Sequence, residues 1–221
     1  MVGLKHENIV HIPIGRLILE GELIIPLQAK GIVVFAHGSG SSRFSPRNQF
    51  VANFLREHHL ATLLIDLLSA EEEQLDLETR ELRFDIHLLG QRLLGITQWL
   101  VHEPQTKQLQ IGLFGSSTGA AAALIAAAKM GDVISAVVSR GGRSDLVEDH
   151  LEQVVSPTLL VVGGDDTVVI ELNEQALQAL KCEKEMFVMP GATHLFEEPG
   201  ALEEVSGLAR DWFEKHLKSE L

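Results

Sequence analysis

The sequence has few of the features that cross-link or anchor a protein. Its single cysteine, Cys182, cannot form a disulfide within the chain, and this usage is typical of a reducing compartment, so we expect a cytoplasmic protein. Residues 1–14 carry Lys5, His6 and Glu7 and have no long apolar core, which argues against a secretory signal peptide. The longest apolar run, residues 120–128, is about half a membrane span. We therefore predict no membrane partner.

Basic residues are also scarce. The chain has 18 Lys and Arg against 31 Asp and Glu, a net charge of −13. A nucleic-acid partner requires a basic patch that displaces counterions, so nucleic-acid binding is not expected. The ten histidines show no strong metal-ligand spacing, and we predict neither a metal site nor a cofactor. The expected partner is a small molecule.

The composition is that of an ordinary folded protein. Apolar residues make up 45% of the 221 residues and charged residues 22%. A chain of this length can bury a large core without disulfides or metals, and no linker, repeat or low-complexity tract divides it. We predict one domain over residues 1–221.

Short apolar segments alternate with helical patterns along most of the chain. Residues 8–14 and 16–25 predict an antiparallel hairpin around Gly15. Continuous rather than alternating apolarity indicates strands covered on both faces, as in a parallel sheet. Six such runs follow: residues 31–36, 61–66, 109–114, 133–138, 158–163 and 185–189. The alternation predicts an α/β fold with a mostly parallel sheet and helices on both faces.

Helices are predicted in the segments between these strands. Ser45 and Pro46 form a start signal, followed by Phe50, Phe54 and Leu55 at helical spacing. One apolar stripe from Leu82 to Leu100 predicts a long helix. Its members are Leu82, Ile86, Leu89, Leu93, Ile96 and Leu100. Three further helices are predicted, over residues 117–130, 168–180 and 201–218. We interpret the acidic run from Glu71 to Glu78 as a solvated loop that enters the long helix.

Residues 115–119 read Gly-Ser-Ser-Thr-Gly, with Ser117 at the centre of a G-x-S-x-G pattern. An apolar strand precedes the pattern and an alanine-rich helix follows it, which is the setting of a nucleophile on a sharp strand-to-helix turn. Gly115 and Gly119 remove side chains that would collide at such a turn. Ser117 is therefore the candidate nucleophile, at a helix N-terminus that favours negative charge.

A serine nucleophile requires a base, and the base requires an orienting acid. His194 follows the last predicted strand, and Asp166 follows the strand before it, so both belong to the same sheet edge as Ser117. The order Ser, Asp, His is the one expected on this kind of sheet. Asp165 and Asp145 remain alternative acids, with Asp166 preferred.

The loop after strand 31–36 reads His37-Gly-Ser-Gly-Ser-Ser-Arg43 and is the candidate oxyanion loop. A tetrahedral intermediate needs two hydrogen-bond donors. We assign one to the N–H of Thr118, directly after the nucleophile, and the other to the N–H of Ser39, with Gly38 as the alternative. His37 is interpreted as a structural contact beneath the site.

Several arginines belong to loops at this same edge. We predict that Arg43, Arg140 and Arg143, with Gly38, contribute to substrate binding, and that the guanidinium groups hold a carboxylate or phosphate. Arg47 belongs to the same group of arginines. The alternative is that these arginines form internal ion pairs with Asp145, Asp165 or the acidic run. Both interpretations remain open from sequence.

With these motifs in place, the chain resembles the α/β-hydrolase superfamily, in particular its small dienelactone-hydrolase-like branch. The resemblance covers nearly the whole chain. It rests on HGSGSSR at 37–43, GSSTG at 115–119, GGDD at 163–166 and GATH at 191–194. It implies an eight-stranded sheet with an antiparallel first hairpin, and a triad of Ser117, Asp166 and His194. Dienelactone hydrolases proper have a cysteine at the elbow, whereas this chain has Ser117.

The sequence therefore predicts a serine hydrolase that cleaves a small carboxylic ester, lactone or thioester through an acyl-enzyme. About 18 residues separate strands 133–138 and 158–163, too few for a lid domain. We expect an open site, covered either by residues 67–80 or by a second subunit in a homodimer. The alternatives are a peptidase or acyltransferase with the same triad, and a non-catalytic binding module on the hydrolase scaffold.

Overall fold

A single eight-stranded sheet forms the centre of the protein. The computed structural model describes residues 8–218, except the side chains of residues 8, 148 and 149. Part of the N-terminal segment, for which we predict no signal peptide, lies outside the described residues. The strands are β1 (Asn8–Ile14), β2 (Leu17–Ile24), β3 (Gly31–Ala36), β4 (Leu60–Ile65), β5 (Gln110–Ser116), β6 (Ile134–Arg140), β7 (Thr158–Gly163) and β8 (Lys184–Met189). Their order in the sheet is β1-β2-β4-β3-β5-β6-β7-β8.

The strand directions confirm the predicted topology. β1 and β2 form an antiparallel hairpin, and β2 is also antiparallel to β4. Every other neighbouring pair is parallel. The hairpin turns at Gly15, which has a φ of +61°, a conformation that glycine adopts without steric cost. The parallel strands therefore direct their carboxyl ends to one common edge.

Helices cover both faces of this sheet, each face with its own buried apolar cluster. They are α1 (Pro46–Glu57), α2 (Ala70–Thr79), α3 (Ile86–His102), α4 (Thr118–Lys129), α5 (Glu148–Leu151), α6 (Thr167–Ala179) and α7 (Ala201–His216). Residues from α3, α4 and α6 contribute to one cluster, and residues from α1 and α7 contribute to the other. Because β3 to β7 lie between two such layers, their side chains are buried on both faces.

Two predicted helices differ from expectation in detail. Ser45 caps α1 as predicted, by accepting a hydrogen bond from the N–H of Asn48, but the buried face of α1 is Val51 and Leu55, and Phe50 is exposed. The long apolar stripe is divided, because Leu82 lies in a separate 3₁₀ turn and Asp85 caps α3. Because the aspartate cap starts a new helix, the apolar stripe does not lie on the one continuous helix that its spacing predicted.

The acidic run is a helix, α2, and the prediction of a loop there was wrong. Ser69 and Glu72 form a reciprocal capping box, in which each side chain accepts a hydrogen bond from the other residue's backbone N–H. Glu71, Glu72 and Glu73 lie in the first turn, where negative charge is favoured by the helix dipole. The Asp76 side chain is buried and accepts hydrogen bonds from Arg83, which fixes the other end of α2.

Candidate active site

Ser117 stands at the turn between β5 and α4 with a strained backbone. Its φ of 52° and ψ of −118° are unusual for a residue with a side chain. Its N–H donates to the carbonyl of Arg140 on the neighbouring strand, and its own carbonyl accepts from Ala120 and Arg143. These backbone bonds hold the turn in place. Such strain persists only where the surroundings over-determine it, and it is concentrated at functional sites.

The two glycines of the elbow are sterically required. A Cβ on Gly115 would lie 2.3 Å from the Cα of Ala120. A Cβ on Gly119 would lie 2.2 Å from the carbonyl oxygen of Ala36. Real Cβ atoms do not approach backbone this closely, so the pattern is a packing requirement between β3, β5 and α4.

Ser117, His194 and Asp166 form one hydrogen-bonded chain. Oδ2 of Asp166 lies 2.6 Å from Nδ1 of His194, and Oγ of Ser117 lies 3.3 Å from Nε2 of the same ring. A carboxylate only accepts, so with Asp166 ionised the proton lies on Nδ1, and Nε2 of the neutral ring is free to accept from the serine hydroxyl. The His194 side chain is 37% exposed, so the arrangement opens to solvent.

The other candidate acids lie elsewhere. The N–H of Asp165 donates to the carbonyl of Ala192, while its exposed side chain makes no hydrogen bond to His194. The Asp145 carboxylate accepts two hydrogen bonds from Arg143, and this pairing lowers its pKa despite partial burial. Of the three carboxylates that the sequence left as candidate acids, Asp166 is thus the one that contacts the histidine.

The loop of residues 37–43 lies beside the elbow, but its hydrogen bonding differs from expectation. The N–H of Ser39 donates to Oγ1 of Thr118 at 2.8 Å, so it is not the free donor that we predicted from the sequence. Gly38 lies tightly against the elbow, since a Cβ there would be 3.2 Å from that of Ser117. His37 accepts a hydrogen bond from the N–H of Leu67 on Nε2, in agreement with a structural contact.

Two of the three arginines predicted to bind substrate are already neutralised. Arg43 pairs with Asp66 and with Glu20, which reaches it from β2. Arg143 forms a two-pronged ion pair with Asp145, and its hydrogen bonds to this carboxylate raise the pKa of the guanidinium although partial burial works in the opposite direction. The alternative of internal ion pairing therefore describes Arg43 and Arg143 as the structure has them.

Arg140 differs from both. Its side chain is 7% exposed, and its Nε and Nη1 are buried with no acceptor among the described residues. The guanidinium carbon lies 5.8 Å from the centre of the ring of Phe196, which follows His194 by two residues. Burial, with a smaller effect of nearby Arg47, lowers the pKa of Arg140 to about 10, so the group is charged at neutral pH. A buried charge without a carboxylate partner is uncommon and calls for an explanation.

A small cavity of about 140 Å³ lies between the 37–41 loop and α2. Its lining includes Gly38, Ser39, Glu73, Leu77, Arg83 and Leu89. This cavity and its helical wall were missed at the sequence level, where residues 67–80 were only a candidate cover. The Ser69-x-x-Glu72 capping box was the signal that could have predicted the wall.

The metal, membrane and cysteine predictions concern residues outside the triad. Among residues 8–218 no group of three His, Cys, Asp or Glu side chains is arranged to hold a metal ion. Within the same range no helix is both long and apolar enough to cross a bilayer. Cys182 is partly buried near Thr158 at the opposite edge of the sheet, and burial raises the pKa of its thiol.

The sheet order, the strained serine at the β5–α4 turn and the residues that follow β7 and β8 define the fold class as an α/β hydrolase. Comparison with known proteins agrees. The family model for the dienelactone hydrolase family matches residues 19–218. The chain belongs to the dienelactone hydrolase family, a family of hydrolases.

Individual relatives cover most of the chain. The crystal structure of a dienelactone hydrolase from Anabaena variabilis is 55% identical, covers 96% of this chain and 99% of that one, and superposes with a TM-score of 0.95. A serine hydrolase without a lid from Xanthomonas campestris is 20% identical over 95% of this chain and 94% of that one, with a TM-score of 0.74, and shares the fold.

Curated relatives from Mycobacterium tuberculosis are longer proteins. Two strain versions, from CDC 1551 and H37Rv, are 53% identical over 214 residues and have names that call them phosphoribosyl transferases. The match covers 97% of this chain but 47% of each relative. The chain thus spans about half the length of the curated relatives it matches, and their names describe the longer proteins.

Proposed function

We propose that this protein is a serine hydrolase that cleaves small carboxylic esters, lactones or thioesters through an acyl-enzyme. The observation that carries the proposal is the hydrogen-bonded chain from Ser117 through His194 to Asp166 at a strained elbow. A serine hydroxyl is a poor nucleophile at neutral pH, and an adjacent oriented imidazole is what activates it. Membership of a hydrolase family supports the same conclusion.

The reaction follows from these positions. Oγ of Ser117 attacks the carbonyl carbon while Nε2 of His194 takes its proton, and the carbonyl oxygen becomes an oxyanion. The imidazolium then returns the proton to the leaving alcohol or thiol, which leaves the acyl group on Ser117. Water attacks the acyl-enzyme while His194 takes a proton from it. The imidazolium returns that proton to Oγ of Ser117 as the acid leaves. Asp166 holds the tautomer and stabilises the imidazolium throughout.

The site geometry favours small substrates. The connection from β6 to β7 contains only a 3₁₀ turn (Ser144–Val147) and the four-residue α5, and His194 is a third exposed. The cavity beside Ser39 holds about 140 Å³, which is below the range of about 300–1,000 Å³ of drug-sized ligand pockets. We infer that it receives a short group at one end of the substrate.

Arg140 supports a narrower proposal about the substrate. Its two buried nitrogens lack acceptors, and its carbonyl bonds directly to the Ser117 N–H. We infer that Arg140 favours substrates with a carboxylate or phosphate, because an anion is the acceptor that a buried guanidinium binds most strongly. Arg43 and Arg143 are left out of this proposal because carboxylates of the protein already bind them.

Steady-state hydrolysis of p-nitrophenyl acetate tests the proposed function. Ser117→Ala is expected to abolish turnover above the uncatalysed rate. Ser116→Ala is the matched control, since the Ser116 hydroxyl bonds to Asn48 instead of His194, and this variant is expected to retain activity.

A folded wild type that hydrolyses neither this ester nor a panel of thioesters, lactones and peptides would favour the non-catalytic binding module. Turnover of peptides alone, or transfer to added alcohols, would favour the peptidase or acyltransferase alternative.

A further inference from the structure

The hydroxyl of Thr118 has an unused proton beside the nucleophile. Thr118 follows Ser117 directly, begins α4 and is only 2% exposed. Its Oγ1 accepts the hydrogen bond from the Ser39 N–H. A hydroxyl can accept two hydrogen bonds and donate one, and among residues 8–218 no atom accepts from this one. A buried donor that lacks an acceptor within the protein usually donates to an acceptor on a bound molecule.

The backbone N–H of Thr118 is free in the same way. The first N–H groups of a helix have no partner within the helix, and no backbone carbonyl of the described residues accepts from this one. Because Oγ1 is only three bonds from the amide nitrogen, the O–H and the N–H of Thr118 can converge on a single oxygen. The nucleophile is the adjacent residue, so that oxygen would belong to the group bonded to Ser117.

We propose that the side-chain hydroxyl of Thr118 is the second donor of the oxyanion hole. The oxygen of the tetrahedral intermediate accepts hydrogen bonds from the N–H and the Oγ1–H of Thr118. The Ser39 N–H does not reach the substrate but binds a lone pair of Oγ1 and so fixes the hydroxyl. No proton is transferred by Thr118. The proposal rests on the proposed serine mechanism and corrects the sequence assignment of Ser39.

The bond from Ser39 gives the hydroxyl two advantages. It fixes a group that would otherwise rotate, so the donor is in place before charge develops on the substrate. It also polarises the O–H bond, because a hydroxyl that accepts a hydrogen bond becomes a stronger donor in a buried setting. Ser39 is therefore a positioning residue and Thr118 the catalytic one.

Three variants separate donation from packing. Thr118→Val keeps the shape and removes the hydroxyl, whereas Thr118→Ser keeps the hydroxyl and removes the methyl group. Thr97→Val is the matched control, because Thr97 is also fully buried in a helix and its Oγ1 has no partner among the described residues. Each would be compared with wild type for kcat and KM on p-nitrophenyl acetate. Each would also be measured for binding of a trifluoromethyl ketone, which forms an oxyanionic adduct on an activated serine.

We expect Thr118→Val to lower kcat by about 10²–10³-fold with little change in KM, which is the usual effect of losing one oxyanion donor. Ketone affinity should fall by a similar factor, a result that a merely structural role would not produce. Thr118→Ser should recover most of both losses, and Thr97→Val should behave as wild type. If Thr118→Val does not fold, judged by its melting transition, Thr118→Ala replaces it in the comparison.

Two outcomes would overturn this proposal while leaving the proposed function intact. In the first, Thr118→Val keeps kcat and ketone affinity within a few-fold of wild type. In the second, Thr118→Ser loses as much activity as Thr118→Val, which would assign the effect to packing. A wild type that shows neither hydrolysis nor ketone binding would overturn both the function and the proposal, and that pattern is distinct from the other two.

Discussion

Oδ2 of Asp166 lies 2.6 Å from Nδ1 of His194, while the neighbouring Asp165 makes no hydrogen bond to that ring. The first prediction separates these adjacent acids. Asp166→Asn should lower kcat by about 10³–10⁴-fold, because an amide at this position allows the wrong histidine tautomer. Asp165→Asn is the control and should remain near wild-type activity. Equal kinetics of the two variants on a short ester would refute the assignment of Asp166.

The second prediction concerns the packing of the elbow. A Cβ at Gly119 would meet the Ala36 carbonyl oxygen at 2.2 Å, and that backbone lies in the centre of the sheet. Gly119→Ala should therefore destabilise the fold by more than about 3 kcal/mol. Gly207→Ala in α7 is the control, since a Cβ there meets nothing within 4 Å, and it should raise stability by up to about 1 kcal/mol. Urea denaturation of both variants provides the measurement, and a wild-type midpoint for Gly119→Ala would contradict the packing account.

The third prediction is a pH dependence of stability from Asp76. Burial works against ionisation of this carboxyl, but hydrogen bonds and charge from Arg83 outweigh it and hold its pKa below the ordinary value. A carboxyl group whose pKa is lowered by folding stabilises the folded state at pH values above its unfolded pKa. This stabilisation is lost as the pH falls through the folded pKa. Asp76→Asn should therefore melt lower than wild type at pH 7, and the difference should shrink below about pH 4.

Thermal melting from pH 7 to pH 3 tests this dependence. The control is Glu73→Gln on the same helix, whose side chain is exposed and which should change the melting curve little at any pH. A difference between wild type and Asp76→Asn that stays constant over the whole range would show that the ion pair contributes nothing to the pH dependence.

The fourth prediction tests the role of Arg140. If the buried guanidinium binds an anionic substrate group, Arg140→Met should raise KM for esters that carry a carboxylate more than for neutral esters of the same length. Arg143→Met is the comparison, since Asp145 already binds that guanidinium, and it should not discriminate between the two ester classes. Equal changes in KM for anionic and neutral esters in Arg140→Met would remove the anion proposal. Arg140 would then be a structural cation against the Phe196 ring.

Much of the fold follows from local sequence signals. Continuous apolar runs predicted the inner strands because β3 to β7 are buried on both faces, and Ser45-Pro46 predicted the start of α1. Helix α2 was missed because its exposed acidic surface has no apolar stripe. Its stability comes instead from the Ser69–Glu72 capping box and from Asp76, whose partner Arg83 lies outside the helix.

The motif spacing also gave the residues that the structure brings together around Ser117. The sequence could not show which donors and charges are already occupied, because those partners come from distant positions. Glu20 on β2 reaches Arg43, and Thr118 binds the N–H of Ser39 from 79 residues away. Such contacts depend on the path of each loop in three dimensions. The pattern of small and polar residues in a loop does not specify that path.

If the protein is a serine hydrolase, Ser117 is an activated nucleophile. Intact-mass spectrometry after incubation with a fluorophosphonate tests it most directly, with Ser117→Ala and Ser116→Ala measured in parallel. We expect a single adduct on the wild type and on Ser116→Ala, and none on Ser117→Ala. A folded wild type that takes up no adduct, or a Ser117→Ala variant that is still labelled, would contradict it.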